Sequence, residues 1–159
     1  MRRSRLANPP YDRPPVYIAA PLGGPDIDCN VLRAELLAML AARDGLTPVY
    51  VHSVVQRGVL GDDDEPADRA RGLEIAASML RLVRLHPAGR LWVLERDNGA
   101  GLSQGVQLEV NLWRGDHGSR RGIQRRGAWA AWQPSLHAAG LGDEWAALAR
   151  MSISMSVST

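Results

Sequence analysis

The sequence predicts an α/β domain built on a parallel sheet covered by helices, and three observations carry that expectation. Strand-like and helix-like segments alternate from residue 16 to residue 114, in the order strand, helix, strand, helix, strand, helix. The first strand segment, Val16–Ala20, is a short apolar run of the kind that is buried on both faces. At 159 residues the chain suits one domain, long enough to bury a full core without metal or disulfide staples.

Residues 1–15 carry Pro9, Pro10, Pro14 and Pro15 with four Arg, and read as an extended arm. Val16–Ala20 is the first strand, broken by Pro21-Leu22-Gly23-Gly24-Pro25. Asp28 or Asn30 can cap a helix over 31–43 whose apolar stripe is Leu32, Leu36, Met39 and Leu40. Gly45 ends it, and Leu46–Val51 is a second strand closing on His52. A long connection, 52–65, finishes in Asp62-Asp63-Asp64-Glu65. Pro66 then suits the first turn of a helix running to Leu85, behind acids that complement the helix dipole. Leu91–Glu95 is the third strand, Asp97–Gly105 a Gly-rich loop, and Ser103 a cap for a helix over 104–114. Ligands of parallel sheets bind beyond the carboxyl ends of the strands, so the loops at 21–28, 52–65 and 96–105 are expected to share one rim. The domain is thus expected at 16–114. Residues 115–127 (GDHGSRRGIQRRG) offer little for a buried strand. The rest of 115–159 reads as a divergent, partly helical extension, with Trp129, Trp132 and Trp145 as packing residues.

Composition removes several chemistries. All 19 basic residues are Arg, which excludes Schiff-base and P-loop lysines. The single Cys29 excludes an internal disulfide and a multi-cysteine zinc site. The four His are scattered without metal-ligand spacing, and neither metal nor cofactor is expected. Neither a membrane-length apolar run nor a secretory h-region is present, which predicts a soluble, cytoplasmic protein. The net charge of +2 resolves into basic ends and a mildly acidic middle. No aromatic residues interleave the N-terminal arginines, so solubilising ends are preferred over a nucleic-acid surface.

One carboxylate is out of place. On a helical wheel of about 100° per residue, Leu108, Leu112, Trp113, Val106 and Val110 form one apolar arc. Gln107, Asn111 and Arg114 lie opposite, but Glu109 falls inside the arc between Leu112 and Trp113. A carboxylate there is either a structural group paired with a buried Arg or Tyr, or a catalytic group with a raised pKa. The preceding Asn98–Gly105 loop presents free amides and a helix dipole to an anion.

These residues together resemble the nucleoside 2-deoxyribosyltransferase superfamily. The resemblance spans about 16–113: Tyr17-Ile18-Ala19-Ala20-Pro21, then Ser103-Gln104-Gly105 and Glu109. Pro21-Leu22-Gly23-Gly24 is also similar to the related 2'-deoxynucleoside 5'-phosphate N-hydrolases. An uncharacterised, often phage-borne branch is a closer likeness, through His52, the run Asp62–Pro66, Gly72-Leu73-Glu74 and Leu91-Trp92-Val93. The resemblance implies a flavodoxin-like, Rossmann-like fold with helices on both faces of the sheet. It implies attack by Glu109 on C1' of a 2'-deoxyribose, a glycosyl-enzyme ester, and its resolution by water or a second base. Tyr17 would orient Glu109, Ser103 and Gly105 would hold the 5' end or 5'-phosphate, and Gly23 and Gly24 would admit the ligand closely. Members often complete their sites across a dimer, so a homo-oligomer is among the expected states.

Two departures accompany the likeness. The transferases carry an acid for the leaving base, and no clean equivalent is present. Glu74 is nearest but lies on a polar face with Ser78 and Arg81, so a solvated Glu is preferred, and Asp97 is the alternative. The superfamily also continues into a further strand, which 115–127 lacks. His52 is read either as a ligand contact or acid/base, or as a hydrogen-bonded structural residue. The function expected is cleavage or transfer at the N-glycosidic bond of a (deoxy)nucleoside or its 5'-phosphate. The alternative is a non-catalytic module that binds a nucleotide or metabolite in the same pocket.

Overall fold

The apolar runs of the first and third strands sort their side chains onto two opposite faces, and that division organises the chain. The computed structural model describes residues 13–22, 27–52, 65–97, 99–115, 123–144 and 146. Most of the N-terminal arm, Gly23 and Gly24, Asp62–Asp64, Trp145 and residues 147–159 lie outside the described residues. In chain order the elements are β1 (Pro15–Ala19), α1 (Ile27–Arg43), β2 (Thr47–Val49), α2 (Pro66–Leu85), β3 (Arg90–Glu95), α3 (Gln104–Arg114), β4 (Ile123–Ala128) and α4 (Trp129–Ala138). The four strands are parallel, in the order β2-β1-β3-β4. This is the predicted α/β class, with the strand order of a flavodoxin-like sheet.

Val16, Ile18, Trp92 and Leu94 face one way and pack with α1 and α4. Tyr17, Ala19, Leu91 and Val93 face the other way, toward α2 and α3. Strand alternation with a period of two dictates this split. Winding follows from it. The chain leaves β1 over one face to reach β2, then recrosses over the other face through α2 and α3. The order of winding therefore reverses between β1 and β3, and their carboxyl ends are the switch point at which sheets of this kind take their ligands.

Local signals placed most boundaries. Pro66 lies in the first turn of α2. Ser103 caps α3, its Oγ accepting the Val106 N–H at 3.3 Å. In α1 the helix starts at Ile27, earlier than expected, and its buried face is Ala34, Leu36, Leu37, Ala38, Leu40 and Ala41. Met39, placed in the stripe from sequence, is exposed. Ala34, Ala38 and Ala41 belong to that face, so it is wider than the large side chains alone indicate.

The expectation for 115–127 is corrected: Ile123–Ala128 forms β4, pairing with β3 through a bulge near Trp92. Its polar residues are used rather than hidden. Gln124 Oε1 accepts from Trp92 Nε1 at 3.1 Å and from Arg90 Nη1 at 3.3 Å. The Arg125 guanidinium carbon lies 5.2 Å from the Trp92 ring centroid and 4.7 Å from that of Trp132, and Arg126 pairs with Glu95. Long polar side chains can cover apolar surface with their stems and planes. An edge strand of this kind carries no apolar run to read. α4 closes the same face: Trp129, Trp132, Leu136 and the following Leu141 are core residues, and the Trp92 and Trp132 rings meet at 5.3 Å. Residues 123–141 are therefore an integral part of the fold.

Candidate active site at the switch between β1 and β3

Glu109 owes its position to the helix period. The buried residues of α3 are Val106, Glu109, Val110 and Trp113, spaced i, i+3, i+4 and i+7. Glu109 occupies a core position and is 7% exposed, whereas Leu108, assigned to the apolar arc from sequence, is 45% exposed. The true buried stripe is therefore rotated toward the carboxylate.

Tyr17 meets it from the sheet. The tyrosine is fully buried on β1, flanked in register by Val49 and Leu91. Its hydroxyl donates to Glu109 Oε1 at 2.6 Å, a short bond of the kind made to a carboxylate. The structure thus joins two residues singled out from sequence, 92 positions apart. Burial pushes the Glu109 carboxyl up to about 7, and the Tyr17 hydrogen bond partly opposes that rise. The Tyr17 phenol is itself raised, first by burial and then by the charge and hydrogen bond of Glu109. The pair therefore holds a carboxylate that titrates near neutrality, with one oxygen fixed by a donor.

The loop leading into α3 is folded tightly. Arg96 N–H donates to Gly101 O at 2.8 Å, and Arg96 Nη2 donates to Ala100 O at 2.8 Å. Gly99 and Gly101 adopt φ of 70° and 69°, a region that side-chain-bearing residues rarely enter. Ser103 Oγ accepts the Val106 N–H as the helix cap, which leaves its own O–H free to donate. Gly105 lies in the first turn, and a Cβ built on it would meet nothing within 4 Å, so packing does not demand glycine there. The first-turn amides at this end have no partner within the helix, as at any helix start.

His52 is buried, and its Nε2–H donates to Pro21 O at 2.9 Å, tying the end of β2 to the end of β1. Its Nδ1 is buried without a hydrogen-bond partner among the described residues. Burial lowers its pKa, and the bond to Pro21 opposes that fall, so the ring is held neutral. The bond to Pro21 fits the hydrogen-bonded structural reading of His52.

Asp97 does not stand alone. Its Oδ2 lies 2.9 Å from Arg33 Nη2, linking the loop after β3 to α1. Glu74 is exposed, as its polar helical face predicts. Gly23 and Gly24 lie outside the described residues. Arg33 was missed from sequence, although the cue that exposed Glu109 was available: Arg33 precedes Leu37, Leu40 and Ala41 at i+4, i+7 and i+8, so it lies on the buried side of α1. Among the described residues no group of three or more His, Cys, Asp or Glu side chains is placed to hold a metal, and no helix is long and apolar enough to cross a membrane.

No curated protein and no solved structure matches the chain. Residues 14–117 match a family described as a domain of unknown function, and this segment runs from the start of β1 past the end of α3. The matched segment holds both members of the Tyr17–Glu109 pair and the Arg33–Asp97 bridge, and the chain belongs to that family, DUF7768.

Proposed function

We propose that the chain cleaves the N-glycosidic bond of a (deoxy)nucleoside or its 5'-phosphate, with Glu109 as nucleophile and Tyr17 as its positioning residue. The single observation that carries this reading is the buried Glu109 carboxylate held by the Tyr17 hydroxyl at 2.6 Å. Likeness to the nucleoside 2-deoxyribosyltransferase superfamily supports it and rests on residues 16–113. With Oε1 fixed, Oε2 is left to attack C1' of the sugar. The C1'–N bond breaks, the base departs with its electron pair and takes a proton from solvent, and a glycosyl ester forms on Glu109. Attack by water or a second base on C1' then frees the carboxylate. A nucleophile must be ionised, and a carboxyl near 7 supplies that form at neutral pH. The reaction calls for no cofactor and suits a cytoplasmic protein acting on a small molecule.

A second reading, a module that binds a nucleotide without turnover, is favoured by one observation. Among the described residues His52 and Glu109 are the buried polar or charged groups, so no second buried carboxylate accompanies the nucleophile. Incubation with deoxynucleosides and deoxynucleoside 5'-phosphates, with chromatography of the free base, separates the two. Wild type should release base and Glu109→Gln should not. Ligand-dependent thermal stabilisation without base release would support the binding module, and identical behaviour of both proteins would remove Glu109 from the chemistry.

A further inference from the structure

Two side-chain pairs join the β1 and β3 branches of the chain, one on each face of the sheet. Tyr17 and Glu109 do so on the α2/α3 face. On the α1/α4 face, Arg33 of the helix after β1 meets Asp97 of the loop after β3. We propose that Arg33 is the anion receptor of this switch point, that its ligand is the phosphomonoester of a nucleoside 5'-phosphate, and that Asp97 is an internal stand-in for that phosphate. The nucleoside part of this assignment rests on the glycosidic-bond reading above.

The guanidinium is held ready but incompletely used. Its carbon sits 5.5 Å from the centroid of Trp129, the residue that directly follows β4. Arg33, Asp97 and Trp129 thus converge from three elements at the carboxyl ends of the strands. Nε and Nη2 lie on one edge of the guanidinium, the edge that grips an oxyanion through two parallel hydrogen bonds. Asp97 takes only Nη2, at 2.9 Å, while Nε is buried with no hydrogen-bond partner among the described residues. A carboxylate optimised as a permanent partner would satisfy both donors, because a buried unmade bond is costly. The Asp97 side chain is 41% exposed against 19% for Arg33, so the acid is the member free to move aside. A phosphate has three oxygens to offer and can engage both donors at once. Ser103, expected from sequence to hold the 5' end, accepts the Val106 N–H as the cap of α3 and keeps its own O–H as a donor, but a neutral hydroxyl brings no charge to a phosphate. Arg33 supplies that charge.

Titration calorimetry tests this with inorganic phosphate, the four common deoxynucleoside 5'-monophosphates and the matching deoxynucleosides. Wild type should bind at least one monophosphate roughly 10-fold more tightly than its nucleoside. Asp97→Asn removes the internal competitor while keeping its shape, and should tighten monophosphate binding by roughly 3- to 10-fold without changing the nucleoside. Arg33→Gln should erase the preference for the phosphate. Arg33→Lys should restore part of it, since lysine keeps the charge without the two-donor edge. If Arg33→Gln does not fold, Asp97→Asn and Arg33→Lys carry the test. An Asp97→Asn protein that loses monophosphate and nucleoside equally would make the bridge a loop staple and overturn the proposal. So would a wild type without the preference, an Arg33→Gln protein that keeps it, or inorganic phosphate binding as tightly as every monophosphate. Base release is scored separately: intact phosphate discrimination without turnover would sink the Glu109 chemistry and leave Arg33 standing.

Discussion

Replacing Glu109 by Gln should make the protein more stable, and only above the pH at which the carboxyl ionises. The carboxyl is raised from an ordinary 4.5 to about 7, chiefly by burial. The folded chain therefore holds this proton more tightly than the unfolded chain. The associated stabilisation is complete below about 4.5 and is lost as pH rises through about 7. At 1.36 kcal/mol per pKa unit, the loss amounts to about 3 kcal/mol. Gln is neutral at every pH and still accepts the Tyr17 hydrogen bond, so it escapes the loss. Urea or thermal denaturation at pH 5 and pH 8 is the assay. At pH 5 the two proteins should differ by no more than about 1 kcal/mol. At pH 8 the variant should lead by about 3 kcal/mol, or about 6–12 °C in Tm for a chain of this size. The neutral buried His52 acts in the opposite sense as pH falls, but it is common to both proteins and cancels in the difference. Parallel stability profiles between pH 5 and pH 8 would refute the reasoning, because Glu109 would then be no strained carboxylate. Stability gained with base release lost is the expected signature of a group kept for function.

Further outcomes follow from the geometry. Tyr17→Phe removes the bond that holds the Glu109 carboxyl down, so the pH–rate profile of base release should shift to higher pH, and its failure to shift would separate Tyr17 from the chemistry. The same change leaves a buried carboxylate oxygen without its donor and should cost about 1–3 kcal/mol at pH 8, read by denaturation. Ser103→Ala should lower stability by about 1 kcal/mol through the lost cap, whereas Ser103→Asp should retain it. Trp132→Ala should cost about 3–5 kcal/mol, and a chain ending at residue 114 should lack a cooperative unfolding transition, since the Trp92–Trp132 contact and the α4 core residues are lost.

The parts of the fold legible in the sequence were those whose signals are local. Pro66, the Ser103 cap and the apolar runs of β1 (Val16–Ala19) and β3 (Leu91–Leu94) each act within a few residues of themselves. Glu109 was legible for a related reason: a helix has a fixed period, so a carboxylate among apolar neighbours on the wheel is visible without knowing what it meets. The wheel alone narrowed its partner to an Arg or a Tyr, and only the family resemblance pointed to Tyr17. β4 was not legible. Its residues gain their place from Trp92, Trp132 and Glu95, which lie elsewhere in the chain, and nothing in IQRRGA signals that. Arg33 was overlooked because a lone arginine among alanines and leucines resembles the end of an apolar stripe.

The sequence by itself determined the alternation of strands and helices, the boundaries set by proline and caps, and the presence of one carboxylate on a buried helical face. These follow from steric and hydrogen-bonding rules that act over a turn or two of chain. Tertiary structure supplied the 2.6 Å bond between Tyr17 and Glu109 that the family resemblance only implied, and it alone decided that Asp97 answers Arg33 and that the polar β4 completes the sheet. Each of these joins residues far apart in sequence, and only the packing of two faces on one sheet brings them within a hydrogen bond.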